Sequence, residues 1–125
     1  MLANKITEKN IEAFVILFYT NIIKDKEVGP FFTDILGEDI NNNTWQDHIE
    51  LLCDFWCSMT LEHNSYRGSP FAPHATMTGL KKETFVRWLE ILDETLDNIY
   101  EKETSEIFRQ TGAIMSKNFM RNLGL

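Results

Sequence analysis

No stretch of this chain approaches the roughly 18 to 20 consecutive apolar residues that a membrane-crossing helix needs, so no membrane role is expected. The opening MLANKITEKN lacks an apolar middle, and no secretory leader is readable in it. The expected location is cytoplasmic. Positive charge is scarce: 12 Lys and Arg against 19 Asp and Glu leave a formal charge of -7. Affinity for nucleic acid rests on neutralising phosphates with Lys and Arg, so the balance argues against such a partner. There is no glycine-rich phosphate loop and no G-x-S-x-G nucleophile elbow. No Glu is followed three places on by His, which removes the di-iron carboxylate bundle. The two cysteines, Cys53 and Cys57, lie four apart in what reads as a helix, and are expected as reduced thiols packing like small hydrophobes. A zinc site from Cys53, Cys57 and His63 would have three protein ligands, two of them on one helix, and is not expected.

What the chain does have is helical periodicity. At 125 residues it is expected to form one domain, 1–125, with a core of its own. From Thr7, IEAFVILFYTNII sets Ile11, Phe14, Phe18 and Ile22 on one stripe, with Val15 and Tyr19 beside it. VGP breaks this helix, and the short segment PFFTDILG ends at Gly37. EDINNN reads as a polar loop, after which Thr44 and Asp47 resemble a capping box. The next helix is expected from Trp45 to Leu61, with His48, Leu52, Phe55 and Met59 along one face. A further helix from Lys81 to Tyr100 carries Phe85, Trp88, Leu89, Leu92, Leu96 and Ile99. The last, from Thr104 to Asn122, carries Ile107, Phe108, Thr111, Ile114, Met115 and Phe119. The fold class is all-α, with four principal helices and short extras.

A self-sufficient four-helix bundle joins its helices by short loops, yet Glu62 to Leu80 reads as loop with a scrap of helix. Loops of that length tend to be functional. Within it, SPFAPHATM places Pro70 and Pro73 just ahead of His74, and proline fixes the backbone angle from which that histidine enters. His63 reads as a solvated loop residue. His48, on the apolar stripe, reads alone as a boundary residue, and His74 alone as a turn residue capping its own short helix. Taken together the positions suggest more. Phe14, Phe18, Phe32, Leu52, Phe55 and Leu92 would line an apolar pocket, with His48, His74, Tyr19 and Trp88 bringing polar tips to it. Buried tyrosine and tryptophan need partners for their O–H and N–H. A planar iron cofactor, held by one histidine and roofed by donors, would account for all four.

These residues carry a resemblance. FY at 18 and 19, DKEVGPFF from 25 to 32, W-x-x-H at 45 to 48 and DFW at 54 to 56 occur in order. Y-x-G-x-P-x-x-x-H from Tyr66 to His74 and F-x-x-W-L at 85 to 89 complete the series. In this the chain resembles the group III truncated haemoglobins, small globins built as a two-over-two helical sandwich around a haem. The paired-glycine motifs of other truncated-haemoglobin groups are missing, as that assignment implies. The resemblance implies haem b (iron protoporphyrin IX) as cofactor and His74 as the metal ligand, its other ring N–H held by a carbonyl or water. It implies Tyr19, His48 and Trp88 as the distal residues facing the ligand. Phe32, Leu52, Phe55 and Leu92 would pack on the cofactor, while Tyr66, Arg67 and Lys81 are candidates for its propionates. It further implies oxygen, nitric oxide or another diatomic ligand, a monomer, and high oxygen affinity with slow release, because donors in a dry pocket stabilise a partly negative ligand. The alternative is an enzyme on the same scaffold, a nitric-oxide dioxygenase or peroxidase-like protein. That would need a separate reductase, since no flavin or nicotinamide fingerprint is present.

Overall fold

The computed structural model describes residues 1–61 and 79–125. Among these residues the chain forms five helices: α1 (Glu8–Lys24), α2 (Gly29–Leu36), α3 (Asn43–Thr60), α4 (Lys82–Ile99) and α5 (Lys102–Leu123). Helix α1 begins where the sequence places it. The Thr7 hydroxyl accepts from the Asn10 N–H at 3.1 Å and the Asn10 side chain accepts from the Thr7 N–H at 2.9 Å, which satisfies two otherwise orphaned donors. The helix ends at Asp25, whose carboxylate accepts from the N–H groups of Val28 and Glu27 at 2.9 and 3.1 Å. That turn feeds α2, with Pro30 in its first turn, where a missing N–H costs no helical hydrogen bond.

Gly29 allows the close approach. A Cβ there would stand 2.8 Å from the Ile22 carbonyl oxygen and 2.9 Å from that of Ile23, so only glycine lets α2 start against the last turn of α1.

Two expectations about the helix ends and faces need correction. Helix α3 is capped by Asn42, not by Thr44 with Asp47: the Asn42 side chain accepts from the Trp45 N–H at 2.7 Å and donates to the Leu36 carbonyl at 2.9 Å. One short amide thus closes the end of α2 and the start of α3, which a hydroxyl two residues later does not reach. The inward face of α3 is Trp45, Ile49, Phe55, Trp56 and Cys57, and Met59 is exposed. On α5, Phe108 is buried as expected, but Ile107 and Ile114 face solvent, and Ser105, Gly112 and Ser116 turn inward instead. The reason is spacing between helices. A Cβ on Gly112 would lie 2.6 Å from Leu92 Cδ2, so α5 presents a glycine where α4 comes close. Small residues carry no apolar signal, and the periodicity therefore reads the wrong face.

Helix α1 packs on α3, and α4 on α5; contacts between α1 and α4 and between α3 and α5 lay one pair over the other. The result is a two-over-two sandwich, with α2 folded against α1. The core between the pairs is aromatic. Phe14 stacks on Phe18 at 5.7 Å and meets Trp56, Phe108 and Tyr100 at 5.8, 5.1 and 6.4 Å. The residues before α1 are tied down as well, through a single parallel bridge from Ala3 to Tyr100. The Tyr100 hydroxyl donates to the Asn10 side chain at 2.7 Å. Cys53 and Cys57 are free thiols, and burial, assisted by the charge of Glu12, pushes Cys53 up to about 12. No helix among the described residues is long and apolar enough to cross a membrane.

Candidate functional site

Where α1, α2, α3 and α4 meet, a second aromatic group branches from the core at Phe18. The Phe18 ring contacts Tyr19 at 5.0 Å and Trp88 at 5.4 Å, both edge-on. Tyr19 in turn meets Phe32 of α2 at 5.5 Å, and Trp45 and His48 of α3 at 5.6 Å each. Phe32 also lies 6.5 Å from His48. Each helix therefore supplies one or two of the six rings, and the geometry follows from helical periodicity. Trp45 and His48 are one turn apart on α3, and Phe18 and Tyr19 straddle the inward edge of α1.

Two of the polar tips are buried. Tyr19 is 4% exposed and the His48 Nε2 atom is buried. Burial drives the Tyr19 hydroxyl far above its ordinary value, and a hydrogen bond with the Trp88 side chain offsets part of that rise. Indole N–H can only donate, so the Tyr19 oxygen is the acceptor. A phenol held this way stays protonated across the physiological range. Trp45 does different work: its indole donates to the Gly37 carbonyl at 2.7 Å, which anchors the loop between α2 and α3.

Tyr19, His48, Trp88 and Phe32, named from the sequence, are thus brought together. Leu52 lies one turn beyond His48 and is half-buried, packed against the core. Leu92 is fully buried one turn beyond Trp88. Phe55 is buried with its ring 5.2 Å from Trp56, in the core group that also holds Phe14. Lys81 is exposed at the start of α4, where its N–H donates to the Thr84 hydroxyl at 3.2 Å. His74, His63, Tyr66 and Arg67, with the turn of helix expected around His74, lie outside the described residues. Among the described residues no group of three or more His, Cys, Asp or Glu converges on a metal position.

Sequence reasoning did not single out Trp45 as a member of this group, although its place three residues before His48 gave the signal. Nor did it single out Asp25 and Arg87, which lie 62 positions apart; no pattern within one helix links them.

Such a two-over-two sandwich is the fold of a truncated globin. The crystal structure of a group III truncated hemoglobin from Campylobacter jejuni superposes with a TM-score of 0.90 at 27% identity, over 98% of this chain and 95% of that one. In sequence, the group 3 truncated hemoglobin ctb of Campylobacter jejuni subsp. jejuni serotype O:2 is 27% identical over 118 residues, which are 94% of this chain and 91% of that protein. No protein-family model matches the chain. The resemblance to the group III truncated haemoglobins drawn from the sequence is borne out along nearly the whole chain.

Proposed function

We propose that this chain binds haem b and, on it, oxygen or another diatomic ligand, with His74 as the iron's protein ligand. The observation that carries the reading is the convergence of Tyr19, His48 and Trp88 on one aromatic cluster in a truncated-globin fold. The residues fit such a group. Phe18, Phe32 and Trp45 pack around Tyr19 and His48, and the polar tips lie at the same place rather than dispersed through the core. When bound, the haem iron supplies reversible ligation of a small diatomic molecule.

The protein's part is to hold that ligand. The Tyr19 O–H, kept protonated by burial, and the Trp88 indole N–H are the donors offered to a partly negative ligand. A hydrogen bond to a charged acceptor contributes about 1.5 to 3 kcal/mol, and roughly 1.4 kcal/mol is tenfold in affinity. The expected behaviour is high affinity and slow release, which suits oxygen retention or ligand chemistry better than delivery. The same donors would serve nitric-oxide dioxygenation with a separate reductase; turnover of nitric oxide with and without a reducing system distinguishes that use from simple binding.

The decisive experiment is an absorption spectrum of protein produced with ample iron and porphyrin. A Soret band is expected in the purified protein. A colourless, helical product would end the reading.

A further inference from the structure

The turn between α1 and α2 reaches α4 through one ion pair. Arg87 Nε donates to the Asp25 carboxylate at 2.8 Å, and the Asp25 side chain is only 11% exposed. Asp25 is also the residue that ends α1 and whose carboxylate gathers the Val28 and Glu27 N–H groups ahead of α2. Arg87 immediately precedes Trp88. Three elements that supply the ceiling are therefore joined at one carboxylate: α1 with Tyr19, α2 with Phe32, and α4 with Trp88. We propose that Asp25 and Arg87 act as a latch that fixes α4 against the α1–α2 turn and so holds the Trp88 ring on Phe18, beside Tyr19.

The chemistry of the pair supports this. Two of the guanidinium's neighbours on its own helix, Glu90 and Glu94, stand farther off, at 3.6 and 3.9 Å from Nη1, and are mostly exposed. Asp25 therefore holds the guanidinium across the helices while the two glutamates compete for it from along α4. Burial by itself would raise the Asp25 carboxyl. The Arg87 hydrogen bond, the Val28 N–H, the guanidinium charge and the Glu27 N–H together outweigh it and leave the carboxyl lowered, so the latch is charged at neutral pH. Cutting it frees Arg87 for Glu90 and Glu94, and Trp88 loses the adjacent anchor. Asp25 and Arg87 are positioning residues, for neither needs to touch a ligand. The importance of Trp88 to ligand retention rests on the function proposed above, whereas the mechanical link does not.

The test uses the full chain labelled with 15N at its tryptophans, reduced and held under carbon monoxide so that any haem present is diamagnetic. Trp88→Phe identifies the Trp88 indole signal among the three. Asp25→Asn and Arg87→Gln are each expected to displace that signal, to leave the Trp45 indole in place, and to displace it no further when combined. Arg87→Lys, which keeps the charge, is expected to restore it in part. A Trp88 signal unmoved in both single variants, with thermal stability lowered, would reduce the pair to a structural tie and overturn the proposal. Oxygen dissociation separates the two readings. If Trp88→Phe leaves the off-rate unchanged, the ligand-holding account fails while the indole signals still decide the latch. If Trp88→Phe speeds release while the latch variants neither speed it nor displace the Trp88 signal, the latch fails alone.

Discussion

At the scale of single residues, the ceiling depends on who donates to whom. Burial keeps the Tyr19 phenol protonated, so under the proposed function its O–H is a donor to the ligand, with the Trp88 indole beside it as a second. Tyr19→Phe keeps the bulk and removes that proton. It is expected to speed oxygen dissociation roughly ten- to hundredfold, in line with a hydrogen bond of about 1.5 to 3 kcal/mol to a charged acceptor. Trp88→Phe is expected to speed release by less, because the tyrosine survives; stopped-flow off-rates check both. His74→Ala is expected to abolish stable haem uptake, and a variant that keeps a histidine-ligated ferrous spectrum would contradict the ligand assignment. The residues of this ceiling were legible in the sequence because Tyr, His and Trp on apolar stripes need partners. The direction of the hydrogen bond was not, since it depends on the approach of two helices.

At the scale of elements, the joints are specific where the helices are generic. Gly29→Ala would press a Cβ onto two backbone carbonyls that cannot rotate away. A loss of about 1 to 3 kcal/mol is expected from such overpacking, read as a lowered denaturation midpoint. Asn42→Ala is expected to cost about 1 kcal/mol for the lost cap, with the further loss of the bond to Leu36. The apolar stripe of α1 was readable in full, for every one of its large residues turns inward. That of α5 was not, because Gly112, which lies against Leu92 of α4, and the buried Ser105 and Ser116 carry no apolar signal. The cap of α3 was misplaced for a related reason: its choice depends on the end of α2, which no local pattern contains.

At the scale of the whole molecule, charge and acid stability meet at Asp25. Its folded-state carboxyl lies below the ordinary 3.8, so it contributes stability that is present above the unfolded value and lost as pH falls through the folded one. The denaturation midpoints of the wild type and Asp25→Asn are therefore expected to differ at neutral pH and to converge as the pH drops below about 4. A constant difference across that range would show that the carboxylate's charge is not what joins α1 to α4.

The sequence by itself determined the helices, the stripe of α1 and the residue types of the ceiling, because burial periodicity and the hydrogen-bonding needs of aromatic tips are local properties. Only the tertiary structure decided that Trp45 joins Tyr19 and His48, that Gly112 lies against Leu92 of α4, and that Asp25 meets Arg87. Each of those facts depends on the distance between helices, and that distance is set by all the side chains packed between them at once.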